Sequence, residues 1–257
     1  MAIDTQVLPL LPLTTGVVLP GMVVTLTIES DEAAAAVQAA DGGELLLVPR
    51  LDGRYARIGT VAQVEDVGRL RGGQDALVIR GLHRAVVGVG VAGTGEATWV
   101  QVESAADGEP TPRAKELARE YRAVAESIVE SRGVPQVAEF LRGISDPGAI
   151  ADTSGYSPDL SFEQKIEILE TVDVERRLEL VTEWARETLG EIELKDKIRT
   201  DVSEGMEKRQ REFLLREQMS AIRKELGEDT EGDVIEEYRT KIADAGMPED
   251  VRNEAER

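Results

Sequence analysis

The sequence predicts an α+β protein: a β-rich small barrel or closed, twisted sheet, followed by an α-helical bundle with one long helix. Composition supplies the first observation. Residues 1–108 hold 15 of the 24 glycines, no Lys, 7 Arg and 13 acidic residues, whereas residues 109–257 are rich in Glu, Leu, Arg and Lys. Periodicity supplies the second: short apolar runs between turn residues give way to 3.6-residue spacing. Proline supplies the third, being absent between Asp159 and Met247.

In the first half, Val7–Leu13 is interrupted by Pro9 and Pro12, which predicts an edge strand. Val23–Ile28 alternates and predicts a strand. Ser30 is placed to cap a short helix over Asp31–Ala40, with Asp31 and Glu32 at its positive end. Leu45–Val48 predicts a buried strand. Ile58–Val67 and Ala76–Val91 predict two longer strands around the Gly72-Gly73 turn, and Thr98–Val102 a last one.

Pro110 and Pro112 mark the change to helix. Arg113–Arg132 predicts a helix ended by Gly133, Pro135–Ile144 a second, and Asp146-Pro147 the start of a short third. Ser161 and Gln164 form a capping-box pattern for a fourth. Asp173 caps a helix running towards Gly190, and a longer helix follows from about Glu191 to Leu226, stopped by Gly227. At 100° per residue, Ile198, Val202, Met206 and Phe213 share one stripe. Leu215, Met219, Ile222 and Leu226 share another, displaced by roughly a third of a turn. Two packing surfaces along a rod about 50–55 Å long would produce this, as would one helix curving round one core.

Composition excludes several functions. Zero Cys removes disulfides, thiol catalysis and thiolate zinc sites, and a single His removes multi-His metal sites. A net charge of −20 argues against nucleic-acid partners. No apolar run approaches the ~20 residues of a membrane span, so no membrane partner is expected. Met1-Ala2-Ile3-Asp4 does not open a signal peptide, so the expected localisation is cytoplasmic.

Local motifs are weak. Gly88-Val89-Gly90-Val91-Ala92-Gly93 matches G-x-G-x-x-G, but a strand rather than a helix follows it, so strand end plus turn is the better reading. No G-x-x-x-x-G-K-[ST] occurs. His83 lacks a marked nucleophile. Glu228–Asp233 is acidic without EF-hand spacing. Trp99 and Trp184 are expected in the core. The apolar turn Leu19-Pro20-Gly21-Met22 offers an adaptable contact surface if exposed, or a barrel plug if not.

The segment Gln210-Arg211-Glu212-Phe213-Leu214-Leu215-Arg216-Glu217-Gln218-Met219-Ser220-Ala221-Ile222-Arg223-Lys224-Glu225-Leu226-Gly227-Glu228 closely resembles part of the ATP-dependent protease Lon family. Leu8–Leu13, Val18–Met22, Ile58–Ala62, Ile79–Arg84 and Asp173–Leu178 are similar to earlier parts of the same family. The chain departs from it at Thr14-Thr15-Gly16, in place of an Arg-Asp pair, and at Phe213-Leu214, where two tyrosines are common.

This resemblance implies a β-rich, PUA-like pseudo-barrel over 1–108, a helical bundle over 109–187, a long connecting helix over 188–228 and a short helical segment over 229–257. It implies the substrate-recognition and assembly region of a hexameric, cytosolic serine protease with a Ser–Lys dyad. No catalytic, cofactor or metal residue is expected here; ATP and Mg belong to the parent protein. The implied partners are unfolded or damaged protein substrates and other Lon protomers, in a homohexamer. Substrate-contact candidates are Leu19, Pro20, Met22, Phe213, Leu214 and Met219. Leu215, Ile222 and Leu226 are candidates for packing between subunits or domains. The alternatives are a mainly structural assembly and gating element, or a stand-alone binding protein with a Lon-like domain.

Overall fold

A computed structural model describes residues 5–69, 73–93, 95–226, 229–246, 248 and 251 of the chain. The strands are β1 (Thr5–Leu13), β2 (Val23–Thr27), β3 (Glu44–Leu51), β4 (Arg54–Tyr55), β5 (Ile58–Arg69), β6 (Asp75–Val91) and β7 (Trp99–Ser104). The helices are α1 (Asp31–Ala40), α2 (Pro112–Ser131), α3 (Pro135–Gly143), α4 (Pro147–Asp152), α5 (Phe162–Glu170), α6 (Val174–Leu226) and α7 (Asp229–Asp244), with a 3-10 turn at Thr153–Tyr156.

The β-sheet closes on itself. Its path runs β1-β7-β6-β5-β3, and β1 also pairs with β3 in parallel, so five strands form a ring; β2 adds to β6 and β4 to β3. β1 is therefore not the edge strand that its prolines suggested. Thr5–Pro9 pairs with β7 and Leu10–Leu13 with β3. N–H groups alternate in direction along a strand. The N–H of Leu10 points to the β7 side, where it meets the Thr98 carbonyl at 2.8 Å. Pro9 thus faces the β3 side before that pairing begins, and Pro12 faces the β7 side after that pairing has ended. Neither ring breaks a ladder bond, which is why both are tolerated in a closed sheet.

Alternation along β1 sorts its side chains between two cores. Leu8 and Leu10 join Leu46, Val48 and Val61 inside the ring. Leu11 and Leu13 join Leu45, Leu47 and the helices in a larger cluster that reaches Leu117, Ile168, Leu178 and Val181. The outer side of the sheet and the helices consequently share the larger cluster, while the ring keeps its own, and residues 1–193 form a single compact unit. Residues 194–257 form a second.

Caps follow the expected chemistry. Ser30 Oγ accepts from the Ala33 N–H at 3.1 Å. Asp146 accepts from the Ala149 N–H at 2.7 Å. Ser161 and Gln164 complete the capping box of α5. Gly133 ends α2 with φ of +72°. At Gly190 the expectation fails: α6 passes through it as one continuous helix of 53 residues. Ending a helix there needs a left-handed residue, and Gly190 has no positive φ. A glycine in a helix interior costs only about 1 kcal/mol against Ala, too little to break the run alone. Gly72 and Gly227, expected as a turn and a stop, lie outside the described residues.

Candidate functional site

The turn at Leu19–Met22 points inward. Leu19 is fully buried and Met22 only 4% exposed, so both are corrected from contact surface to core. The cause is local. Gly21, with φ of +79°, turns the chain so that the Gly21 N–H donates to the Gly81 carbonyl and the Gly81 N–H to the Met22 carbonyl, both at 2.9 Å. That locks the turn against β6. A Cβ on Gly81 would stand 2.5 Å from the Leu19 carbonyl oxygen, and one on Gly155 would stand 2.6 Å from the Met22 sulfur. The glycines let a strand and the 3-10 turn close over Leu19 and Met22. Pro20 stays half-buried.

The α6 candidates sit differently. Ile198, Val202, Met206, Phe213, Leu214, Leu215, Met219, Ile222 and Leu226 are all between 52% and 67% exposed. Both stripes expected from the sequence are therefore open along the part of α6 that belongs to the second unit. Apolar side chains at this density differ from the single scattered surface residues that need no explanation, and each stripe forms an apolar face of its own on the helix. Binding to such a face is driven by desolvation: covering it with an apolar segment is favourable by roughly 25 cal/mol per Å² of apolar surface removed from water.

A second apolar feature lies within the first unit. Helices α2, α3 and α6 and the segment Thr153–Leu160 enclose a cavity of about 270 Å³. Ala125, Val129, Leu141, Val181 and Ala185 line it, and Val134, Val137 and Tyr156 stand partly exposed at its mouth. The Tyr156 hydroxyl accepts from the Val23 N–H at 2.9 Å, tying this mouth to β2. At the rim Arg132 Nη2 donates to both Asp159 oxygens at 2.7 Å, and this guanidinium holds the Asp159 carboxyl below its ordinary value.

A buried ion network that sequence reasoning missed joins barrel to helices. Arg84 of β6 forks onto Asp152 of α4, with bonds of 2.7 and 2.8 Å, and also donates to the Leu169 and Ile168 carbonyls. Arg177 of α6 bonds Asp107 and the Thr171 carbonyl, and its Nε lies 3.4 Å from Asp152. Burial pushes the Asp152 carboxyl up and the Arg84 bonds pull it back. The one available signal was an Arg beside Leu178, Leu180 and Val181 on an otherwise apolar face of α6. Periodicity alone does not distinguish a buried Arg from one that snorkels.

The weak motifs find structural explanations. Gly88 lies where a Cβ would be 2.6 Å from the Gln101 carbonyl oxygen, and Gly93 lies against the Trp99 ring. The glycine run thus serves the β6–β7 packing, and β7 follows it rather than a helix. His83 Nδ1 sits 3.0 Å from the Arg84 carbonyl. Trp99 and Trp184 are half-buried. Among the described residues no group of three or more His, Cys, Asp or Glu is placed to hold a metal, and no helix is long and apolar enough to cross a membrane. The side chains of the acidic run Glu228–Asp233 lie outside the described residues.

Comparison with known proteins agrees with this architecture. Residues 7–187 match the profile of the ATP-dependent protease La (LON) substrate-binding domain. The chain is similar to the Lon protease of Mycolicibacterium smegmatis, with 47% identity over 257 residues, covering 98% of this chain and 33% of that protein. It is 48% identical over 250 residues to the Lon protease of Salinispora arenicola, covering 96% of this chain and 32% of that protein. Among solved structures it is similar to the N terminal domain of Mycobacterium avium complex Lon protease, with 39% identity and a TM-score of 0.67, covering 70% of this chain and 98% of that one. The chain spans about a third of the length of the curated relatives it matches. With the match extending over most of its length, from the first strand of the barrel into the long helix, the chain belongs to the family of Lon substrate-binding domains.

Proposed function

We propose that residues 1–257 recognise protein substrates for an ATP-dependent serine protease of the Lon type, holding unfolded or damaged proteins in the cytoplasm for cleavage elsewhere in a homohexamer. ATP and Mg act in that reaction outside these residues. The observation that carries this reading is the exposure of apolar side chains round α6, where Phe213, Leu214 and Met219 are each more than half exposed on different sides of the helix. A receptor for many unfolded sequences needs weak, adaptable, apolar contact, and Met and Leu side chains re-pack readily against different partners. With Leu19 and Met22 in the core, the contact residues on this reading are Phe213, Leu214 and Met219, together with the half-buried Pro20.

The test is capture of a permanently unfolded, carboxymethylated protein by the 257-residue chain. Phe213→Ser with Met219→Ser should weaken capture by about tenfold or more, from the loss of two large apolar contacts. Unchanged capture by a folded double variant would overturn the site.

A second reading is favoured by one spacing. Leu215, Met219, Ile222 and Leu226 recur at intervals of four, three and four, which is the seam of a coiled coil. On this reading Leu215, Ile222 and Leu226 pair with another protomer. Sedimentation decides it. Ile222→Glu should shift an associating species to monomer, whereas a wild-type chain that stays monomeric at high concentration argues against pairing by this segment.

A further inference from the structure

Strand β2 leaves one of its two sides open. It pairs with β6 along Val23–Thr27, and no strand among the described residues takes its other side. Backbone groups alternate in direction along a strand, and the N–H and C=O of one residue point the same way. The Ile28 N–H donates to the Asp75 carbonyl at 2.9 Å, so Leu26 and Val24 face β6 as well, and Thr27, Thr25 and Val23 face outward. The Val23 N–H bears this out: it donates at 2.9 Å to the Tyr156 hydroxyl, which lies outside the sheet. The Val23 carbonyl and the N–H and C=O of Thr25 and Thr27 have no hydrogen-bond partner among the described residues. The Thr27 hydroxyl does not turn back on them, because it donates to Glu29 Oε1 at 2.9 Å.

This edge carries none of the usual shields. Proteins protect an open strand with proline, charged side chains or a bulge. Val23-Val24-Thr25-Leu26-Thr27 has no proline and no charge, and its register with β6 is unbroken from Val23↔Arg80 to Thr27↔Ala76. Strand β4, by contrast, is two residues long and carries Arg54. The side chains of Val23, Thr25 and Thr27 are exposed, so nothing from them reaches a covering element. An outward row of donors and acceptors at strand spacing is complementary to another extended main chain. Folded proteins have already paired most of theirs, whereas an unfolded polypeptide has not. A second copy of this chain would offer its own β2, but a pairing of five residues a side falls well short of the roughly 1,000 Å² that a specific dimer buries. The same small area suits weak, reversible capture.

We propose that the open side of β2 is a second client-binding site, which takes an extended segment of an unfolded polypeptide as an added strand, through main-chain hydrogen bonds with Val23, Thr25 and Thr27. The assignment rests on the client-capture reading given above and adds a second kind of selection to it. The α6 residues select for apolar side chains. The β2 edge selects for a main chain with free N–H groups, whatever its side chains, and rejects segments broken by proline. Cross-strand contact with Val23, Thr25 and Thr27 adds a preference for β-branched neighbours.

The test uses the whole chain and the carboxymethylated protein, with amide hydrogen exchange followed by NMR. In the free chain the Thr25 and Thr27 amides should exchange fast, and those of Val24 and Leu26, bonded to β6, slowly. With the client at about ten times its Kd, Thr25 and Thr27 should slow by about tenfold. Thr25→Pro removes an outward N–H and sets a ring on the open side while sparing the bonds to β6, and should weaken capture about fivefold or more. Thr25→Val keeps the N–H and should capture as the unaltered chain does. If Thr25→Pro fails to melt cooperatively, exchange on the unaltered chain decides the matter alone. Capture that leaves Thr25 and Thr27 exchange unchanged, or that survives a folded Thr25→Pro variant undiminished, would overturn the edge site alone. No capture at all would overturn the client reading, and with it the assignment of a client as occupant. Slowing of the two amides that grows with chain concentration, without client, would give the edge to a second copy and overturn the proposal.

Discussion

Arg84 and Asp152, 68 positions apart in the chain, form a two-bond ion pair with both side chains buried at the junction of barrel and helices. Such a pair is costly to assemble and more costly to break, because removing one partner strands the other charge in a dry site. Here the pair is extended by Arg177 and Asp107, so a strand, the short helix and the long helix meet at the Asp152 carboxylate, and the linker between the halves joins them through Arg177.

The first expectation follows from that geometry. Asp152→Asn should lower unfolding free energy by about 3–5 kcal/mol, seen as a fall in the urea midpoint. Arg84→Met combined with Asp152→Leu should recover part of the loss, since no charge of that pair is then left without its partner. A cost below about 1 kcal/mol for the single variant would show that the network contributes little.

Met22 provides the second. As a buried side chain under the 3-10 turn, Met22→Ala should cost about 2–5 kcal/mol of stability. Client capture per folded molecule should not change. If thermal melting is unaltered while capture falls, Met22 is surface rather than core.

Gly190 provides the third. A Cβ there meets nothing within 4 Å, and the helix continues on both sides. Gly190→Ala should therefore raise stability by roughly 0.4–1 kcal/mol, measured by thermal circular dichroism. A destabilised variant would mean that the helix breaks at this point.

The fourth concerns pH. Burial raises the Tyr121 phenol from 10.0 to about 12. Its folded value lies above its unfolded value, so its share of stability is complete below about pH 10 and is lost as pH rises through about 12. That difference corresponds to about 3 kcal/mol at most. Tyrosinate absorbance should appear late for this residue and together with unfolding. Asp159 has the opposite sign. Its folded value is lowered by Arg132, so its contribution is present above the unfolded value near 3.8 and fades as pH falls through the folded one. A carboxyl NMR titration reads it directly, and Arg132→Gln should move the midpoint upwards.

Element types and their order were legible along the chain because caps, turns and periodicity are local chemistry. Ser30, Asp146 and the Ser161–Gln164 pair each announce a helix start from within four residues of it. The same locality explains the resemblance of Gln210–Glu228 to Lon, which survives as a string of residues whatever packs against it. Reading failed where the answer lies in another part of the chain. Pro9 and Pro12 look like edge residues until β3 and β7 are seen to share β1 end to end. Leu19 and Phe213 are equally apolar, yet one is buried under β6 and the other stands open on α6. Hydrophobicity says that a side chain gains by leaving water; only the tertiary structure decides whether a partner is there to receive it. The Arg84–Asp152 pair is the extreme case, since two charges far apart in sequence carry no local mark of meeting, and their burial is a property of the assembled fold alone.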